Sequence, residues 1–124
     1  MPRKPSATLT DVEAEVMAVL WRLQRASVSE VVTAMHETRP VNYNTIQTIL
    51  RILETKGYAT HDKVARAFVY SPVVDERQAR RRALRHLAAR LFDGSPSLLV
   101  LNVLEDEDID PSERERLKKL IERA

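Results

Sequence analysis

The chain has 124 residues, 44% hydrophobic and 31% charged, with 20 Lys and Arg against 18 Asp and Glu, three His, two Gly and no Cys. That length allows one compact domain, or a small domain with an appendage, and the balance of apolar and charged residues excludes a disordered chain. Without cysteine there is no disulfide scaffold, no Cys-ligated zinc finger and no thiol enzyme.

The start, Met1-Pro2-Arg3-Lys4-Pro5, leads into no apolar signal region, and the longest apolar run is Val16 to Trp21. Neither secretion nor membrane insertion is expected, which places the chain in the cytoplasm. Its charge is uneven: residues 1–92 carry 15 bases and 9 acids, residues 93–124 only 5 bases and 9 acids. The basic part is where a polyanion would bind.

Thr10 followed three residues later by Glu13 reads as a capping box, because the hydroxyl can accept a free helix amide while the carboxylate reaches back. Val12, Val16, Val19, Leu20 and Leu23 then recur at helical spacing, giving a first helix. Ser27 and Glu30 repeat the pattern. Val28, Val31, Val32 and Met35 follow at i, i+3, i+4, i+7, so a second helix ends before Arg39-Pro40. A third helix starts at Asn42 as its cap, or at Asn44, with Ile46, Ile49, Leu50 and Leu53 as its buried stripe and Lys56-Gly57 as its stop.

From Tyr58 to Pro72 the period changes to two, with Phe68 and Tyr70 on one side, Ala67 and Val69 on the other, and a turn near Val64 to Arg66. That is a β-hairpin signal. Three short helices and a hairpin make a winged helix-turn-helix over residues 1–73.

Beyond Pro72 the pattern is helical to the end. Asp75 caps a helix carrying Leu84, Leu87, Ala88 and Leu91, and Gly94 stops it. Ser95-Pro96 opens another with Leu98, Leu101 and Leu104. Asp110-Pro111-Ser112-Glu113 opens the last, with Leu117, Leu120 and Ile121. Some 50 residues in three thin helices bury too little to stand alone. A second copy of the chain is the economical partner, and residues 74–124 are expected to form a helical dimerisation domain through Leu84, Leu87, Leu91, Leu98, Leu101, Leu117, Leu120 and Ile121. The fold class is therefore mainly α with a small β-hairpin.

The apolar stripe of the third helix leaves Asn44, Thr45, Gln47, Thr48 and Arg51 on its other face. Surface helices favour Glu and Lys, whereas this set of short or amide-bearing hydrogen bonders with one cation suits base edges and phosphates in a major groove of double-stranded DNA. Asn42 opens the same helix, and Tyr43 beside it serves as a phosphate contact or as a packing residue. Lys63 and Arg66 at the hairpin tip are the natural wing cations. Arg80-Arg81-Arg82 and Arg85 read as a second, non-specific DNA contact or as the solvated face of the connecting helix.

His36, His61 and His86 lie 25 residues apart, not the three or four that align two imidazoles on one helix face, so no metal site is expected. Glu105-Asp106-Glu107-Asp108 reads as an acidic linker. There is no Gly-rich phosphate loop, nucleophile elbow or paired His and carboxylate motif, so neither an enzyme nor a cofactor is expected.

Leu9-Thr10 through Trp21, the block Tyr43-Asn44-Thr45-Ile46-Gln47-Thr48-Ile49-Leu50-Arg51-Ile52-Leu53-Glu54-Thr55-Lys56-Gly57, then Arg66-Ala67-Phe68-Val69-Tyr70-Ser71-Pro72 and Phe92-Asp93-Gly94-Ser95 together resemble the BlaI/MecI family of penicillinase and methicillin-resistance repressors. The resemblance covers nearly the whole chain, and the third-helix block is its most specific part. It implies a homodimeric repressor on a palindromic operator, inactivated when a pathway headed by a membrane-bound sensor metalloprotease leads to cleavage in the C-terminal part. In the staphylococcal repressors of this family the cut falls between Asn and Phe. This chain reads Ser97-Leu98-Leu99-Val100-Leu101-Asn102-Val103, so the resemblance makes Asn102–Val103 the candidate bond, while the same stretch also reads as a dimer-core helix. Ala65 stands where relatives often carry a wing-tip Gly. Since Ala disfavours positive φ, the turn is expected to use another geometry. A copper-responsive branch of the family senses through a C-terminal Cys motif, which this chain lacks. The rival functions are a winged-helix protein-interaction module and a repressor gated directly by a small ligand.

Overall fold

The computed structural model describes residues 8–124; the basic start at residues 1–5 lies outside them. The elements run α1 (Asp11–Leu23), β1 (Ala26–Ser27), α2 (Val28–Met35), α3 (Tyr43–Thr55), β2 (Ala59–Val64), β3 (Ala67–Pro72), α4 (Glu76–Leu91), α5 (Pro96–Glu105) and α6 (Pro111–Arg123). The three strands form one antiparallel sheet in the order β1-β3-β2. This is a winged helix followed by helices.

Both capping boxes form. Thr10 Oγ1 accepts from Glu13 N and Glu13 Oε1 accepts from Thr10 N, and Ser27 and Glu30 do the same at the head of α2. The Ser27 bonds hold the Glu30 carboxyl below its ordinary range, as the Ser112 bonds do for Asp110 at the head of α6. At the end of α3, Tyr58 N donates to Leu53 O and Gly57 N to Glu54 O, a closure that puts Gly57 at φ +83. Glycine takes that left-handed conformation without a Cβ clash, so the chain leaves the helix and enters β2 at once.

The core joins Val16, Met17 and Leu20 of α1 to Val28, Val31 and Met35 of α2, Ile46, Leu50 and Leu53 of α3, and Tyr58 and Tyr70 of the sheet region. Tyr70 is buried while Phe68, two residues earlier on the same strand, is 37% exposed, because the core covers only the proximal half of the hairpin. Burial, with the nearby Glu54 charge, pushes the Tyr70 hydroxyl pKa up. Leu23, expected in the α1 stripe, is exposed, since the last turn of α1 runs past the core.

One detail differs from the sequence reading. Val64 pairs with Ala67, leaving only Ala65 and Arg66 to reverse the chain, and Ala65 stands at φ +56. The expectation that the turn avoids positive φ is thus corrected: two-residue hairpin turns matched to strand twist need a positive φ at their first residue, whatever occupies it. The chain divides into two compact units, the first ending at Ala83 and the second spanning Leu84–Ala124. Val74 and Ala79 join the first unit's core, and Trp21 Nε1 donates to Val74 O at 2.9 Å.

In the second unit, Ser95 caps α5 and Asp110 caps α6, each with proline in the first turn. Among the described residues, no side chain of α5 or α6 is fully buried.

Candidate nucleic-acid interface

Asn42, not Asn44, caps α3: its Oδ1 accepts from Asn44 N at 2.8 Å, and its carbonyl accepts from Ile46 N. With that start, the fully buried Ile46, Leu50 and Leu53 fix one side of the helix against the core. At about 100° per residue, Asn44, Thr48, Arg51 and Thr55 then point directly away from it. All four are exposed.

Thr45 lies on one flank of this row and is exposed, while Gln47 lies on the other and is half-buried. Tyr43 is 46% exposed at the first turn, where the core no longer reaches. The helix therefore gathers seven of the expected contact residues, Asn42 to Arg51, on or beside one solvent-facing surface. Ile52 and Thr55, which the sequence reading passed over, extend the same surface by one turn. Their spacing from Thr48, four and seven residues, was the available signal.

Two of these side chains are already engaged within the helix. Thr48 Oγ1 donates to Asn44 O at 3.0 Å, and Thr55 Oγ1 donates to Arg51 O at 3.0 Å. Those two hydroxyls therefore present acceptors rather than donors to solvent, and the donors of this surface include the amide groups of Asn44 and Gln47 and the Arg51 guanidinium.

Lys63 and Arg66 are not on the helix. Lys63 pairs with Phe68 across the hairpin, and Arg66 occupies the turn itself. The hairpin is tied to α3 by His61 Nδ1, which lies 2.6 Å from Glu54 Oε1, and the His61 ring meets Phe68 at 4.9 Å and Tyr70 at 5.3 Å between centroids. Among the described residues, Arg51, Lys63 and Arg66 make no ion pair, whereas Arg22, Arg25, Arg39 and Lys56 are each paired to a carboxylate. An unpaired cation approaches a phosphate without first giving up a protein partner.

The arginine run of α4 is less available than its sequence suggests. Arg80 is paired with Glu76 at 2.6 Å, and the Arg82 guanidinium lies over the Tyr58 ring at 5.3 Å. In the second unit, Leu84, Leu87, Leu91, Leu98, Leu101, Leu120 and Ile121 are exposed and Leu117 is half-buried. Asn102 and Val103 lie inside α5, where Asn102 Nδ2 donates to Leu98 O at 2.8 Å. Among the described residues no cluster of three His, Asp or Glu is placed to hold a metal ion, and no single helix is long and apolar enough to cross a membrane.

Comparison with known proteins agrees with this geometry. The penicillinase repressor family model matches residues 9–123. The penicillinase repressor of Bacillus licheniformis is 32% identical over 114 residues, covering 92% of this chain and 89% of the relative. The methicillin resistance regulatory protein MecI of Mammaliicoccus sciuri is 26% identical over 113 residues, covering 91% and 92%. Among solved structures, the DNA-binding domain of the repressor BlaI superposes with a TM-score of 0.53 at 37% identity, covering 63% of this chain and 93% of that domain.

Proposed function

The chain belongs to the penicillinase repressor family, and from that premise we propose that it is a sequence-specific DNA-binding repressor that acts as a homodimer on a palindromic operator. The observation that carries this reading is the row Asn44, Thr48 and Arg51, exposed on the side of α3 opposite its buried stripe. Asn44 and Gln47 present amides with donor and acceptor in one plane, the pattern that pairs with adenine, and Arg51 presents the fork that pairs with guanine. Lys63, Arg66 and Tyr43 reach phosphates and set the register of the helix in the groove.

The second unit supports dimerisation by what it leaves uncovered. Leu91 is 65% exposed and Leu101 48%, on helices without a fully buried leucine. Contiguous apolar stripes of this kind need a partner, and a second copy offers the matching ones. Cleavage at Asn102–Val103 would detach α6 with Leu117, Leu120 and Ile121 while sparing α3, which supplies a route from a sensor metalloprotease pathway to derepression. Because the bond lies within a helix, α5 must open locally before a protease can take it in extended form.

The test is a titration of the full chain against a duplex selected from a random pool and against a scrambled control, at several salt concentrations. The expected result is a strong preference for the selected duplex and a log–log salt slope of about −6, as for a dimer neutralising three or four phosphates per subunit. Equal affinity for both duplexes with a flat slope would instead indicate a winged-helix protein-interaction module.

A further inference from the structure

A threonine whose hydroxyl hydrogen is bound to its own helix offers a DNA groove only a methyl group and oxygen lone pairs. Thr48 and Thr55 are both in that state, donating to the carbonyls of Asn44 and Arg51. Between them, four residues after Thr48 and three before Thr55, Ile52 is 40% exposed. A single exposed isoleucine is ordinary on a protein surface. This one stands in a row with two back-bonded threonines, on the surface that also holds Asn44 and Arg51, so the middle of α3 presents an apolar strip inside a polar face.

The apolar group that a base pair displays in the major groove is the C5-methyl of thymine. We infer that Thr48 and Ile52 read thymine methyl groups, so that the half-site recognised by this chain carries A·T pairs opposite the middle of α3. The inference rests on the DNA-binding reading above and deepens it: part of the specificity comes from methyl contact rather than from hydrogen bonds. Each methyl buried in this way is expected to change affinity about fourfold, the transfer value of one such group.

The experiment starts from the half-site that the full chain selects from random duplexes and replaces each thymine, one at a time, by uracil, which removes only the methyl. At one or two thymines the wild-type chain should bind the uracil duplex about fourfold more weakly. Thr48→Ser keeps the hydroxyl that bonds to Asn44 and removes its methyl, and Ile52→Ala shortens an exposed side chain on a helix. Each variant should bind the thymine and uracil duplexes equally at the position its residue touches. A selected half-site in which no uracil replacement alters binding overturns the inference and leaves the DNA-binding reading intact. Failure to enrich any sequence overturns both.

Discussion

The Lys56 ammonium donates to Glu13 Oε1 at 2.6 Å across a separation of 43 residues, and both side chains are nearly buried. The same ammonium donates to Thr8 O at 3.0 Å, and the same carboxylate oxygen accepts from Thr10 N at 2.9 Å. One acid thus closes the head of α1 and holds the end of α3, so the orientation of the proposed reading helix depends on it.

Burial alone pushes the Glu13 carboxyl up, but the Lys56 hydrogen bond and charge, with the Thr10 backbone and hydroxyl bonds, outweigh it and leave the carboxyl below its ordinary range. A carboxyl depressed on folding contributes stability that is fully present above its unfolded pKa and is lost as pH falls through the folded one. We expect Glu13→Gln to cost about 3 kcal/mol at neutral pH, because it leaves Lys56 facing a neutral group. The gap from wild type should shrink below pH 4, roughly the unfolded carboxylate value. Urea unfolding of both proteins at pH 7 and pH 3 checks this, and an equal gap at the two pH values would exclude the ion pair as its source.

Such an interaction could not be read from spacing. The caps at Thr10, Ser27 and Asn42 and the stripe Ile46, Leu50, Leu53 were legible because a capping box or a helical period fits within a few neighbouring residues. Glu13 was legible only as a cap, since its second partner lies on another helix. The two-residue strand β1 was invisible for a related reason: Ala26 and Ser27 are too few to show a period, and they exist as a strand through pairing with Tyr70 and Val69. The Ala65 turn was misread because local preference, which disfavours positive φ for alanine, yields where strand pairing leaves two residues for the reversal. On α3 the polar face is legible in the sequence, but the inward bonding of Thr48 and Thr55 is not, because it depends on side-chain rotamers.

Ala65 at φ +56 carries the strain that a glycine there would not. Left-handed conformations cost an L-residue about 1–2 kcal/mol, and the extra freedom of glycine in the unfolded chain returns part of it. Ala65→Gly should therefore stabilise the winged helix by about 0.5–1 kcal/mol. A higher urea midpoint with an unchanged slope is the expected reading. A lower midpoint would mean that the turn does not hold Ala65 in this conformation in solution.

Asn44 and Lys63 should separate specificity from affinity. Asn44→Ala removes an exposed amide from the first turn of the α3 surface and is expected to reduce discrimination between selected and random duplex by about 1–3 kcal/mol. Lys63→Ala, on the hairpin, should weaken both duplexes about equally and reduce the magnitude of the salt slope by about one for each phosphate no longer neutralised. Parallel anisotropy titrations decide this. Unchanged discrimination in Asn44→Ala would move the reading surface away from the row Asn44, Thr48, Arg51.

The limit of the first unit at Ala83 predicts how the chain tolerates shortening. A fragment of residues 1–83 retains Val74 and Ala79 in its core and the carbonyl of Val74 that receives the Trp21 indole hydrogen. A fragment of residues 1–73 has none of the three. The longer fragment should unfold cooperatively, and the shorter should be destabilised by about 3 kcal/mol or more, because two apolar side chains are missing from the core and the indole has no acceptor. Matching stabilities would show that the core ends at the hairpin.

The fragment of residues 1–83 also isolates what the second unit contributes to binding. It keeps α3 and the hairpin and lacks Leu84, Leu87, Leu91 and every residue of α5 and α6. Exposed leucines on these helices, with Leu91 at 65% and Leu120 at 49%, leave the second unit with little apolar interior of its own, so the full chain should be a dimer and the fragment a monomer. Two reading heads joined through such a dimer bind the second half-site at a high effective concentration, whereas separate heads must find each half-site independently. The fragment should accordingly bind a complete palindromic operator weaker than the full chain by a factor on the order of 100 or more, while a single half-site should not distinguish them so strongly. Leu101→Asp in the full chain, which puts a charge into the proposed dimer interface without touching α3, should reproduce the fragment's behaviour. Light scattering and operator titration of the three proteins together provide the check. A full chain that scatters as a monomer, or a fragment that binds the whole operator as tightly, would remove the second unit from the mechanism.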